Sequence, residues 1–224
     1  MWKKVIDGVF HKEHFWRRTL TVISAVILMG FALSWLLPVG LGADPYTMMN
    51  KAISGKIGIS LGSWQALLNC ILLLFVLVFG GRNIGVGTLA NMLIVGYSVD
   101  FFSWVWSKAL PADFFDGVGV RMGVLFPALA LFILAAAVYI AVDMGTSPYD
   151  AIPFIIASRA GKLPFRLIRI GYDFAVIGIA CAFGGKLQIV TVLMALSLGP
   201  VVTWVSAFGK KAFPKLFCGE NYAP

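Results

Sequence analysis

Polar side chains interrupt two otherwise apolar segments at the same helical spacing, one segment in each half of the chain. The second half has Arg169 and Asp173, and the first half has Gln65 and Asn69 at matching places 104 residues earlier. Residues four apart lie on one face of a helix. Ionisable groups inside a membrane span are costly and are functional candidates for that reason. The pattern predicts either the wall of a solute cavity or a self-satisfied ion pair, with two amides that join helices.

Another apolar segment carries Asn91 and Asp100, nine residues apart and on nearly the same face of a helix. Asn91 is a candidate solute contact. Asp100 could pair with Arg121 or bind a coupling cation, and Asp173 is the other carboxylate that could handle a proton or a cation. The sequence therefore predicts ion coupling at Asp100 and Asp173.

A further set of candidates lies in a turn that the chain contains twice, at Gly40 to Thr47 (GLGADPYT) and at Asp143 to Asp150 (DMGTSPYD). The glycine can end one helix, while Asp44 or Ser147 caps the next helix and proline takes its first position. Such helix starts would present N–H groups to an anionic or carboxylate-bearing solute. An ordinary interhelical turn is the alternative for either copy. The candidate solute contacts here are Tyr46, Thr47, Tyr149 and Asp150.

Sequence signatures of catalysis are missing from the chain. It has no P-loop, no HExxH, no Cys/His cluster and no Ser/His/Asp set, and both histidines, His11 and His14, lie in the N-terminal segment. We therefore expect no enzyme activity, no catalytic residue, no bound metal and no cofactor.

Composition indicates an all-α integral membrane protein. Hydrophobic residues make up 60% of the 224 and charged residues 12%, with a mean hydropathy of +0.90. A soluble domain has about 25% charged residues, and several apolar runs reach the roughly 20 residues that span a bilayer. The net charge of +8 comes from short loops and tails. It therefore indicates membrane topology, with the lipid bilayer as the partner, and not a nucleic acid.

Six spans are predicted, at 19–40, 63–80, 87–107, 120–142, 165–184 and 188–208. Most Lys and Arg residues fall in the segments that share a side with the N-terminus, so both termini are expected in the cytoplasm. Residues 1–16 read as an amphipathic helix on the membrane surface, and 209–224 as a cytoplasmic tail. The segments 45–54 and 148–158 are either flat on opposite surfaces or re-entrant half-helices.

The duplication extends beyond the turn. Arg18 matches Arg121, and Thr88 matches Thr191, at the same offset of 103 residues. The chain is thus predicted to contain two three-span repeats, at 17–110 and 118–208. Because three is odd, the second repeat must enter the membrane from the opposite side. Inverted repeats are common in transporters, where solutes bind between the repeats near the midplane.

The sequence resembles the YczE-type family of bacterial six-span membrane proteins. Three stretches carry the resemblance: Arg17 and Arg18 with the turn at 40–46; the stretch 85–91 with Gly96 and Asp100; and Arg169 and Asp173 with Gly184, Gly185 and 198–200. Asp173 stands where the family commonly has glutamate, and the second Gly-x-Gly-Thr is replaced by Gln188 to Thr191. The resemblance implies a bacterial cytoplasmic membrane protein without a settled biochemical activity.

These observations predict a small-solute membrane transporter with its site between the two repeats, for an anionic or carboxylate-bearing metabolite. A second interpretation is the substrate-capture subunit of an ATP-driven uptake system. A third is a non-transporting scaffold for a membrane protein partner. A homo-oligomer is compatible with each.

Overall fold

In a computed structural model, residues 15–80, 84–160 and 163–212 are described, and over these ranges the chain forms helices without strands. The helices are α1 (Phe15–Val39), α2 (Pro45–Ile57), α3 (Leu61–Gly80), α4 (Val86–Ala109), α5 (Val118–Ala141), α6 (Pro148–Ala160), α7 (Phe165–Ala182) and α8 (Ile189–Ala212). The all-α prediction is confirmed for this part of the chain. The predicted surface helix at 1–16 and the cytoplasmic tail lie largely outside the described residues.

Four helices of the described ranges are long and apolar enough to cross a membrane: Phe15–Val39, Leu61–Phe79, Val86–Ala109 and Val118–Ala141. In contrast, α7 carries Arg166, Arg169 and Asp173, so its composition alone does not mark it as a span. Large apolar side chains also cover the outside of the helices. Leu74 and Phe126, for example, are 65% and 67% exposed, as expected of a surface that faces lipid.

The helices pack in pairs that correspond between the two halves of the chain. The contact of α1 with α4 corresponds to that of α5 with α8, and the contact of α3 with α4 corresponds to that of α7 with α8. Each short helix packs on a long helix of the other half, α2 on α7 and α6 on α3. Finally, α1 packs directly against α5. Each short helix is therefore held mainly by the opposite half.

Sharp breaks separate α1 from α2 and α5 from α6. Gly42 and Gly145 adopt positive φ angles of 117° and 107°, a region that a side chain disfavours. Pro45 and Pro148 then begin the short helices. Both predicted turns, with a glycine that ends one helix and a proline that starts the next, are therefore confirmed.

Two arginines each donate a hydrogen bond to the helix break of the opposite half. Arg18 is 3% exposed, and its Nη2 donates to the carbonyl oxygen of Val142 at 2.5 Å. Arg121 Nε donates to the carbonyl oxygen of Val39 at 2.8 Å. The two donors are 103 residues apart in the sequence, and so are the two acceptors. The two contacts are therefore equivalent. Each arginine satisfies a carbonyl that the end of a helix leaves without an intrahelical donor.

Main-chain hydrogen bonds also join each break to the opposite half. The N–H of Val190 donates to the carbonyl of Leu41 at 3.1 Å, and the N–H of Gly87 donates to that of Met144 at 2.7 Å. These pairs are also 103 residues apart. The start of the last helix in each half thus donates a main-chain hydrogen bond to the break in the other half.

We expect the arginine contacts to stabilise the fold. In Arg18→Met, the buried carbonyl of Val142 loses its donor, at a cost of about 1–3 kcal/mol. The neighbouring Arg17 is exposed, so Arg17→Met removes the same charge without that loss and serves as the control. Thermal unfolding of the purified variants in detergent should place Arg18→Met clearly below Arg17→Met. Equal melting temperatures would contradict the stabilising role.

Candidate functional site

Two tyrosines meet where the short helices begin. The ring centroids of Tyr46 and Tyr149 are 4.4 Å apart, with the ring planes at 34°, and the residues are 8% and 4% exposed. The starts of α2 and α6 therefore lie side by side. This contact excludes the arrangement in which they would lie on opposite surfaces, about 30 Å apart.

Each tyrosine hydroxyl binds the next long helix of its own half. Tyr46 Oη donates to Asn69 Oδ1 on α3 at 2.7 Å, and Tyr149 Oη donates to Asp173 Oδ1 on α7 at 2.6 Å. Asn69 is fully buried and Asp173 is 2% exposed. The predicted equivalence of Asn69 and Asp173 thus appears as an equivalent hydrogen bond.

Arg169 joins two carboxylates at the edge of the tyrosine pair. Its Nε donates to Asp173 Oδ2 at 3.1 Å, and its Nη1 donates to Asp150 Oδ1 at 2.7 Å. The guanidinium carbon also lies 5.4 Å from the ring centroid of Tyr149, within the range of a cation–π interaction. Arg169 therefore ties α6 to α7, and the sequence-based pairing of Arg169 with Asp173 is present.

The first half has a neutral version of this arrangement. Gln65 takes the place of Arg169 and is 4% exposed. Asn69 takes the place of Asp173, and its Nδ2 is buried without a hydrogen-bond partner among the described residues. The same fold thus holds an ion-paired network on one side of the tyrosine pair and amides on the other.

Side chains already cap both short helices. Asp44 Oδ1 accepts a hydrogen bond from the N–H of Thr47 at 3.0 Å. In the second half, Ser147 Oγ accepts from the N–H of Asp150 at 3.0 Å and donates to Asp150 Oδ2 at 2.7 Å. Thr47 thus contributes its main-chain N–H to the cap of α2. These caps use N–H groups that the sequence had suggested for an anionic solute.

The remaining candidates lie apart from the tyrosine pair. Asn91 is 6% exposed on α4. Asp100 Oδ2 accepts from the N–H of Gly62 at 2.7 Å at the start of α3, whereas Arg121 binds Val39. In the described ranges, no hydrogen bond or ion pair joins Asn91 or Asp100 to the tyrosine pair. The pairing of Asp100 with Arg121, one of the two alternatives for Asp100, is not formed, because each has a main-chain partner.

Sequence reasoning missed one aromatic residue at this site. The ring of Tyr172 lies 4.8 Å from that of Tyr149. Its position three residues after Arg169 could have revealed it, since this spacing places both on neighbouring parts of one helix face. Groups of three or more acidic, histidine or cysteine side chains that could hold a metal are absent from the described part of the chain.

Comparison with known proteins gives a family without an assigned activity. A protein-family model described as "Family of unknown function (DUF6198)" matches residues 16–207. The uncharacterized membrane protein YczE of Bacillus subtilis is 23% identical over 80% of both chains. An uncharacterized protein of Haemophilus influenzae is 25% identical over 83% of this chain and 82% of its own. The uncharacterized protein YyaS of Bacillus subtilis is 23% identical over 80% of this chain and 87% of its own. No solved structure matches the chain.

Substitution on α7 can measure how strongly the ion pairs are coupled. Arg169→Gln introduces the residue of the first half but leaves the buried Asp173 and the partly buried Asp150 without their cation, at a cost of about 3–5 kcal/mol. The double variant Arg169→Gln, Asp173→Asn removes one of those charges and should recover part of the loss. Arg166 is exposed on the same helix, so Arg166→Gln is the control. Thermal unfolding that ranks the double variant no higher than the single variant would contradict the coupling.

Proposed function

Since this chain belongs to the family of unknown function DUF6198, and its resemblance to the YczE-type membrane proteins is confirmed, we propose that it transports a small solute. The chain is a membrane protein with several apolar helices. The proposed solute site lies where α2 and α6 meet, beside Tyr46, Tyr149 and Arg169.

We also propose six spans arranged as two inverted repeats, with α1, α3 and α4 in the first and α5, α7 and α8 in the second. The support is that residues 103 apart make the same contacts at both helix breaks. On this arrangement α2 and α6 are re-entrant half-helices. The Lys and Arg distribution favours a cytoplasmic location for both termini in a bacterial cytoplasmic membrane.

The meeting of the two helix breaks is the observation that supports transport. Broken helices are tolerated at membrane depth only where they are buried in protein or line a cavity. In transporters with inverted repeats, such breaks form the solute site at the repeat interface. The 4.4 Å contact between Tyr46 and Tyr149 brings both breaks to one place.

Arg169 is the group proposed to receive an anionic or carboxylate-bearing solute. The N-termini of α2 and α6 are already capped, so they are weaker anion receptors than the guanidinium. A solute carboxylate would replace Asp150 at Nη1, while Asp173 kept its contact with Nε. Hydrogen bonds from arginine to a carboxylate are strong because both groups are charged. Because Asp150 lies on α6 and Arg169 on α7, this exchange would release the contact between the two helices.

Ligand binding and uptake test this proposal. We expect small carboxylates to raise the melting temperature of the purified chain and to be taken up by liposomes that contain it. Asp150→Asn removes the internal competitor and should raise the apparent affinity severalfold, whereas Arg169→Gln should abolish binding. Arg166→Gln is the control. If no carboxylate stabilises either the native chain or Asp150→Asn, the anion site is wrong.

Binding without uptake would favour the substrate-capture subunit, which needs a separate ATP-driven module. A screen of metabolites from other chemical classes with neither binding nor uptake would favour the scaffold. These outcomes separate the three interpretations with one purified protein.

Six spans predict that both termini lie on one face and that the loop after α4 lies on the other. In a variant without native cysteines, Asp113→Cys should react with an impermeant thiol reagent from outside the cell. Arg159→Cys should react only after the membrane is opened. Both positions are exposed. Labelling of both cysteines from the same side would remove the six-span arrangement and the inversion.

A further inference from the structure

We propose that the first helix break binds a small monovalent cation, such as Na⁺, through the Asp44 carboxylate and the Thr191 hydroxyl. Both side chains of this binding site line the break itself. Its use as a coupling site rests on the proposed transport function. Sequence reasoning had placed ion coupling at Asp100 and Asp173, whereas this proposal places it at Asp44.

One carboxylate oxygen of Asp44 is left over at the start of α2 within the described part of the chain. Oδ1 accepts from the N–H of Thr47, but Oδ2 is buried without a hydrogen-bond partner among the described residues. The start of α2 offsets only about half of a unit negative charge. A buried carboxylate oxygen without a partner is costly, so a cation at this position would remove a real penalty.

Thr191 provides a second oxygen at the same break. The residue is fully buried on α8, and its Oγ1 has no hydrogen-bond partner in the described ranges. This oxygen lies 2.6 Å from the position that a Cβ on Gly42 would occupy. Because Gly42 is two residues before Asp44, the hydroxyl lies against the turn that carries the carboxylate.

The second break serves as an internal comparison. Ser147 occupies the position of Asp44, and its hydroxyl both accepts from and donates to Asp150. Thr88 occupies the position of Thr191, and its Oγ1 donates to the carbonyl of Thr146 at 2.8 Å. The residues equivalent to Asp44 and Thr191 are thus neutral and already hydrogen-bonded. At these two matching positions the first break has a carboxylate and an unpartnered hydroxyl, and the second break has neither. The second break does have a carboxylate at Asp150, which binds Arg169 and Ser147, and a buried hydroxyl without a partner among the described residues at Thr146.

The available ligands suit a hard monovalent cation. Three main-chain carbonyls of the break already accept hydrogen bonds. Arg121 donates to Val39, Gln188 to Gly40 and Val190 to Leu41. The irregular backbone then continues through Gly42 and Ala43 to Asp44, whose own carbonyl accepts from the N–H of Met48 at 2.9 Å. Unwound carbonyls such as those of Gly42 and Ala43 coordinate Na⁺ in transporters. Arg121 lies at the far end of the turn, beside Gly40.

A divalent ion fits this break less well. Ca²⁺ takes six to eight oxygen ligands and is usually held by several carboxylates. The break contributes one carboxylate, and groups of three acidic side chains that could hold a metal are absent from the described residues. A single carboxylate neutralises one positive charge, which favours a monovalent ion.

Thermal unfolding in different salts tests the site. The purified chain is melted in NaCl, KCl, LiCl or N-methylglucamine chloride at one pH and one ionic strength. We expect the melting temperature to rise with the concentration of one small cation and to saturate, and not to rise with N-methylglucamine. Asp44→Ser introduces the capping residue of the second break. Since serine and aspartate are similar N-caps, this variant should fold and lose the response.

Two further variants separate the ion site from general effects on stability. Thr191→Val should weaken the apparent cation affinity at least tenfold, whereas Thr88→Val removes the equivalent hydroxyl of the other break and should leave the response intact. Asp44→Asn keeps the cap and the shape without the charge, so it should behave as Asp44→Ser does.

The outcomes distinguish this site from the transport function. A melting temperature that does not discriminate among the four cations, or a response that persists in both Asp44 variants, would overturn the cation site. Cation binding without uptake of any solute would contradict transport while supporting the site. Uptake that is unchanged when the cation is replaced by N-methylglucamine would overturn the coupling role.

Discussion

A helix that breaks in apolar surroundings leaves carbonyl and N–H groups that need partners, and this constraint organises the whole molecule. The partners come from the opposite half: Arg18 and Gly87 serve the second break, while Arg121 and Val190 serve the first. A buried main-chain group without a partner costs a few kcal/mol. The two halves must therefore meet with both breaks at the interface, and this places Tyr46 against Tyr149.

Equivalent positions in the two halves differ in charge where the geometry is the same. The second half pairs Arg169 with two aspartates, whereas the first half has Gln65 and Asn69. Conversely, the first break has Asp44 where the second has Ser147. A conformational change that separates α6 from α7 must break an ion pair between them, while one that separates α2 from α3 breaks a neutral hydrogen bond. The two movements have different electrostatic costs, so the halves are equivalent in shape and unequal in energy.

The duplicated turn made much of this arrangement predictable. Glycine, proline and tyrosine recurring together predict two breaks and two short helices, and the spacing of Arg169 and Asp173 predicts their pair. The contact of Arg169 with Asp150 depends on how α6 packs against α7, so the spacing along the chain does not reveal it. The partner of Arg18 is a main-chain carbonyl, which every residue possesses, and that of Asp100 is a main-chain N–H, which every residue except proline possesses. No side-chain pattern can indicate them, so the sequence offered Arg121 as one of two alternative partners for Asp100 and did not reveal the main-chain partner that Asp100 has.

The crossed arginine contacts also bear on the order in which the chain is made. Synthesis proceeds from the N-terminus, so Val39 and its break are complete before Arg121 and Val190 exist. Until those residues emerge, the first break has no partner from the second half, and α2 lacks its main packing surface on α7. The nascent first half is then an incomplete unit that the membrane insertion machinery or lipid must accommodate. Only the arrival of the second half allows both breaks to close, which makes completion of the fold a late event in biogenesis.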